Sequence, residues 1–296
     1  MVQKGKDKIF DLIVILLGIL MLFSVGWVIL FILNASFSSP KEVVMGRVLF
    51  FPKGVNFDAY KTILKQNDVW MGYGNTILYT AAGTAIKVFL TLITAYPLSL
   101  KDTRGKGFIM IFLMLTMYLS GGLIPSFLLI KSLGMYDTMW ALILPSAVTV
   151  YNVIICRTFY TTTIPYELQE SAQIDGASEI YTFYKIVLPL SAPIIAVLVL
   201  FFAVGHWNEF FNAMIYLKSR DKFTLQIILR EILILRQTIN LEFSTADEML
   251  LAAQQADEAE MMKYALIIVA SLPFMIAYPM LQKYFLKGIM VGALKG

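Results

Sequence analysis

Twenty-two consecutive residues, Leu12 to Leu33, carry no charge, and that run restricts the fold more than any other feature of the chain. A bilayer's hydrocarbon core takes about 20 apolar residues in a helix, so the run is long enough to cross one. Lys4, Lys6 and Lys8 precede it, as they would in a signal peptide. A signal h-region spans only about 7–15 residues and ends at a small-residue cleavage site, whereas this run ends in Leu33-Asn34; a retained helix is expected. Composition agrees: 58% of residues are hydrophobic and 15% charged, where soluble domains have about 25% charged. An ordinary soluble enzyme, a disordered chain and a collagen-like chain are excluded. A net charge of +4 is too mild to point to nucleic acid, and the lone Cys156 excludes an intrachain disulfide or a cysteine-built zinc site.

Hydropathy predicts five further spans, giving six in all: 12–33, 75–100, 108–130, 139–160, 187–207 and 262–285. Six helices place both termini on one side. The tight basic turn Lys101-Asp-Thr-Arg104-Gly-Lys106 joins the second and third spans on that side, as do the basic N-terminus and a tail with Lys283, Lys287 and Lys295. Short loops rich in Lys and Arg face the cytoplasm, and long loops vote weakly, so both termini are expected to be cytoplasmic. The loops 35–74 and 208–260 are then external, and the loop 161–186 is cytoplasmic. Within the first external loop, Phe57, Tyr60, Ile63 and Leu64 follow Asn56 at helical spacing and predict a short amphipathic helix. In the second, Ala246 to Met262 is acidic and helix-prone, either a solvated face or a docking surface. The expected class is an all-α integral membrane protein with a single transmembrane domain over 1–296.

The cytoplasmic loop carries the most specific pattern. Pro165 suits a helix's first turn, and Glu167 favours the positive end of its dipole. Gly176 supplies the left-handed residue that ends a helix, and a second short helix is expected from about Ser178 to Val187. Two angled helices would then present Glu170 and Ala172 to Ala177 as an outward knob. The residues Glu170-Ser171-Ala172, Gly176 and Ile186-Val187-Leu188-Pro189 resemble the EAA loop of permease subunits of ATP-binding-cassette (ABC) importers. The family's second position is alanine, and Ser171 is a small-for-small departure. Ile174-Asp175-Gly176-Ala177 with Phe183 and Leu188-Pro189 is similar to the carbohydrate branch. Asn75-Thr76, Ala95-Tyr96, Gly121-Gly122 with Pro125, Gly205-His206-Trp207-Asn208 and the ending Gln282 to Gly296 extend the likeness to a maltose-permease-like subunit. Within that class the chain is most similar to the Gram-positive branch that takes up complex oligosaccharides.

The resemblance implies a type I importer permease fold with a coupling helix pair. It implies ATPase-coupling roles for Glu167, Glu170, Ser171, Ala172, Asp175, Gly176 and Ala177, and tail contacts for Lys295 and Gly296. It also implies four kinds of partner: a homologous second permease, two copies of a cytoplasmic ATP-binding subunit, an extracellular solute-binding protein, and an oligosaccharide. No Gly-x-x-x-x-Gly-Lys-[Ser/Thr] phosphate loop, Ser-His-Asp arrangement or His-Glu-x-x-His motif occurs. No cofactor is therefore expected on this chain, with ATP and Mg used by the partner ATPase. Lys87 interrupts the second span and is either a structural lysine or a lysine of the translocation path. Trp207, Asn208 and Asn212 are either interfacial anchors or sugar contacts, since sugars stack on aromatic faces and bond to amides. One histidine, His206, cannot build a metal site alone. Permeases for peptides or polyamines remain alternatives. A secondary carrier would want buried carboxylates in the spans, and an intramembrane enzyme a catalytic constellation; neither is evident.

Overall fold

The computed structural model describes residues 4–238 and 262–276, and among them every regular element is helical. In chain order these are α1 (Lys4–Ser36), α2 (Pro40–Val44), α3 (Asp58–Lys65), α4 (Asn67–Ser99), α5 (Lys106–Tyr118) and α6 (Leu123–Ser132). Next come α7 (Trp140–Ile143), α8 (Val150–Thr163), α9 (Tyr166–Ile174), α10 (Glu179–Thr182), α11 (Leu188–Leu190) and α12 (Ala192–Trp207). The last are α13 (Phe211–Tyr216), α14 (Leu225–Thr238) and α15 (Met262–Ile276). The described residues form two compact units, one of 4–69, 229–238 and 262–273, the other of 70–228 and 274–276.

In the first unit, α1 is apolar over Phe10–Ser36, and its membrane-length window has nothing buried within the chain. A helix apolar all round and uncovered by its own chain belongs against lipid or a partner helix. Its polar end is different. Ala35 packs with Val43 and Val48, Phe31 meets Tyr264 edge-on, and the Tyr60 hydroxyl donates to Ser36 Oγ at 2.8 Å. The amphipathic helix expected near Asn56 is α3, started by an Asx turn in which Asn56 Oδ1 accepts from the Asp58 N–H at 2.6 Å. Its buried stripe is Ala59 and Ile63; Phe57 and Leu64 are exposed. Leu64 follows Ile63 by about 100° around the helix and so leaves the buried side.

The second unit departs most from straight spans. α4 begins eight residues before the expected Asn75, at Asn67. The early start is held by packing: a Cβ on Gly72 would lie 3.1 Å from Leu225 Cα, so helix and loop backbones are in contact there. Asn75 Nδ2 donates to the carbonyls of Asp221 (2.7 Å) and Phe223 (3.0 Å), and Thr76 Oγ1 accepts from the Leu225 N–H. The expected span 108–130 is two helices, α5 and α6, bent by 112°. Gly122, at φ +82° and ψ 174°, makes the corner in backbone space that only glycine visits freely. Spans 139–160 and 187–207 are bent as well, by 53° near Pro145 and 78° at Ser191. The last expected span is described only as far as Ile276; the acidic segment 246–261 and the tail lie outside the described residues.

Candidate functional site

The chemistry of the expected coupling loop starts from its helix ends. Pro165 is the residue preceding α9, at φ −59° and ψ 132°, one position earlier than a first-turn proline. At the other end the backbone closes as a full Schellman motif: the Ala177 N–H donates to the Ala172 carbonyl (2.9 Å) and the Gly176 N–H to the Gln173 carbonyl (3.0 Å). Gly176 takes φ +75° to do so. Ser178 then caps α10, its Oγ accepting from the Tyr181 N–H. α10 continues through a π-helical turn, Phe183–Val187, rather than as one regular helix to Val187.

Glu167, Glu170, Ser171, Asp175 and Gly176 are exposed and Ala177 is half-buried. Ala172 corrects the expected knob. It is 5% exposed and turned into the chain with Gln169, because the short helix must spend one stripe on docking itself. Ile174, at 86% exposed, and Ile180, at 72%, add uncovered apolar surface beside the acidic groups. An open cavity of about 550 Å³ follows the elbow, lined by Asp175, Gly176, Ser178 and Tyr181 among others.

Two groups of contacts fix this pair to the bundle, one from Tyr96 and one from the basic turn, and sequence reading found neither. The Tyr96 hydroxyl donates to Glu179 Oε2 at 3.0 Å while Gln173 Nε2 donates to Glu179 Oε1 at 2.9 Å, so one carboxylate ties α4, α9 and α10 together. Tyr96 is itself packed on Phe183, with ring centroids 5.0 Å apart. The basic turn meets the same helices: Lys101 Nζ lies 3.8 Å from the Tyr166 ring centroid, and the Tyr166 hydroxyl donates to Asp102 Oδ2 at 3.4 Å. Lys106 Nζ donates to the carbonyls of Leu100 and Lys101, and Arg157 Nε to that of Leu98, satisfying the end of α4. A signal for Glu179 existed, as an acid in a first turn after a serine cap. For Tyr96 there was only its place in the resemblance.

Farther along α4, Lys87 is half-buried with its ammonium 5.7 Å from the Phe202 ring centroid on α12. His206, 6% exposed, lies flush on Gly83, where a Cβ would come within 2.7 Å of its Cε1. Trp207 is 4% exposed, with Tyr73 and Phe274 at centroid distances of 5.9 and 5.7 Å, so the indole is enclosed among aromatic neighbours. Asn208 is exposed at the end of α12, donating to the Val204 carbonyl, and Asn212 Nδ2 donates to Glu209 Oε1 at 3.0 Å. Lys87 and Trp207 thus flank His206 on one helix pair, while Asn208 and Asn212 belong to the loop beyond it. Lys295 and Gly296 lie outside the described residues. Among the described residues no group of three or more His, Cys, Asp or Glu is placed to hold a metal.

The model of the binding-protein-dependent transport system inner membrane component family matches residues 69–291. The chain belongs to that family. This permease is 41% identical over 268 residues to Protein LplC of Bacillus subtilis, covering 90% of this chain and 88% of that one. It is 38% identical over 293 residues, 98% of this chain and 100% of the other, to the polygalacturonan/rhamnogalacturonan transport system permease protein YtcP of the same species. A chain of a bacterial ABC transporter involved in the import of the acidic polysaccharide alginate superposes with TM-score 0.81 at 30% identity, covering 95% of this chain and 98% of that one. The fold is that of a type I importer permease, and the chain is the membrane subunit of an ABC importer rather than its catalytic one. An importer permease of this family works with a partner permease, an ATPase and a binding protein.

Proposed function

We propose that this permease carries an oligosaccharide through the cytoplasmic membrane with both termini in the cytoplasm, and that ATP and Mg are bound wholly by its partner subunits. The coupling loop 161–186 meets the ATPase, Glu170, Ser171 and the Asp175-Gly176-Ala177 elbow forming the contact. The Lys101–Tyr166 contact is the observation that supports this best. A short basic turn faces the cytoplasm, so a helix pair touching it is on the face where an ATP-hydrolysing subunit works. The two compact units are read as one permease domain, because the family match at 69–291 draws on segments of both. The sugar reading leans on the relatives: YtcP is named for polygalacturonan and rhamnogalacturonan transport, and the alginate importer for another polysaccharide.

The test is uptake. In proteoliposomes holding both permeases, the ATPase and the binding protein, labelled oligosaccharide should accumulate only with ATP inside. Accumulation without ATP, driven by a proton gradient, would mark a secondary carrier instead.

A further inference from the structure

Thr80, Thr84, Lys87 and Thr91 recur on α4 at intervals of three and four residues, so they share one face of the helix. The hydroxyls of the three threonines are buried and have no hydrogen-bond partner among the described residues, and neither has Nε2 of His206. Lys87 lies in the middle of this row, its ammonium over the Phe202 ring. Among the described residues no carboxylate comes within ion-pair distance of it. Glu209 acts on the ammonium electrostatically without reaching that distance. A cation held at mid-span with no carboxylate in ion-pair contact among the described residues is costly, as is a file of buried hydroxyls without partners there. One guest would relieve both: a molecule with a negative charge for Lys87 and many hydroxyls for the threonines.

We propose that Lys87 is the carboxylate-binding residue of the translocation path, and that this permease selects an acidic, uronate-containing oligosaccharide. The inference rests on the oligosaccharide reading above and adds the charge of the sugar. In transit the sugar carboxylate pairs with the ammonium while Phe202 backs the cation from its other side. Thr80, which is half-buried, and Thr84, which lines an open pocket, exchange hydrogen bonds with ring hydroxyls as the chain of sugars moves along α4, while Thr91 is fully buried. A neutral sugar leaves Lys87 unpaired and is the poorer passenger.

The test uses the complete reconstituted complex with trigalacturonate, its methyl ester and galactotriose as probes. Wild type should import the acid in preference. Lys87→Met and Lys87→Gln should each cut uptake of the acid at least tenfold relative to the neutral sugars, and Lys87→Arg, which keeps the charge, should retain most of it. Equal losses for acidic and neutral sugars, wild-type preference for the neutral ones, or failure of both neutral variants to assemble with the second permease and the ATPase would each overturn the proposal, the last by marking a structural lysine. Those results leave the oligosaccharide reading standing. Wild-type complexes that import none of the three sugars would fail that reading first and this inference with it.

Discussion

Gly176→Val should lower ATP-driven uptake at least tenfold while the permease still inserts and pairs. The cause is confined to the backbone. A Cβ at Gly176 would touch nothing within 4 Å, so sterics with neighbours play no part. At φ +75°, however, an L-residue costs roughly 1–2 kcal/mol, and a β-branched one more. The relief available to valine is to leave that region. Doing so breaks the Gly176-to-Gln173 and Ala177-to-Ala172 hydrogen bonds that set the angle between α9 and α10. The membrane helices are built from other segments and do not share the strain. A graded series follows: Gly176→Asn should be mildest, Gly176→Ala intermediate and Gly176→Val worst, since asparagine tolerates the left-handed region. Uptake and co-purified ATPase, measured side by side, check it. Wild-type uptake in the valine variant would show that the elbow's angle does not matter.

Asp137→Ala should loosen a second region of the same unit by about 2–4 kcal/mol, the scale of losing a network centred on a charged acceptor. Asp137 is in the left-handed region itself, at φ 59°, and its carboxylate accepts from the N–H groups of Lys218 (2.8 Å) and Ser219 (2.9 Å), the Ser219 hydroxyl and Lys222 Nζ (3.0 Å). Its own N–H donates to the Tyr216 carbonyl at 2.8 Å. Desolvation works to raise the carboxyl's affinity for protons, but the Ser219, Lys218 and Lys222 donors outweigh it and hold the group well below the usual carboxylate range. A depressed folded pKa gives stability that is present above the unfolded value, near 3.9, and lost as pH falls through the folded one. The latch should therefore be complete at neutral pH and weaken only in strong acid. Hydrogen exchange of the Lys218 and Ser219 amides reads it directly: at least tenfold faster in Asp137→Ala, and unchanged if the latch is incidental.

What the sequence revealed and what it hid divide by range. Pro165, Gly176 and Ser178 act on their own backbone, so both ends of α9 and the start of α10 were readable within a residue or two, while the π-helical turn that replaces the expected run to Val187 was not. The bend after Tyr118 was less so, because hydropathy stays high across Gly121-Gly122 and a hydropathy window does not see direction. The start of α4 was misplaced for a related reason. Asn67, Asp68, Gly72 and Gly74 look like a loop locally, and the contact of Gly72 with Leu225, over 150 residues away in sequence, overrides that. Asp137 gave no signal at all, since its partners, from Tyr216 to Lys222, are 79 to 85 residues distant. Tyr96 and Glu179 are likewise 83 apart. Trp207 had the residue type of a sugar platform, but Tyr73 and Phe274 cover it, and only the packing reveals that.

The central claim, that the α9–α10 elbow is the surface gripped by the ATPase, is tested most directly by cross-linking. In a Cys156→Ser background, which removes the buried native thiol, single cysteines replace Ile174 on the elbow and Phe51 on the loop expected outside; both side chains are largely exposed. With a short bifunctional reagent in membranes of the complete complex, the cysteine at position 174 should join the ATP-binding subunit, in a yield that changes when ATP is added. The cysteine at position 51 should not. A cross-link to that subunit from position 51, with none from position 174, would contradict the account.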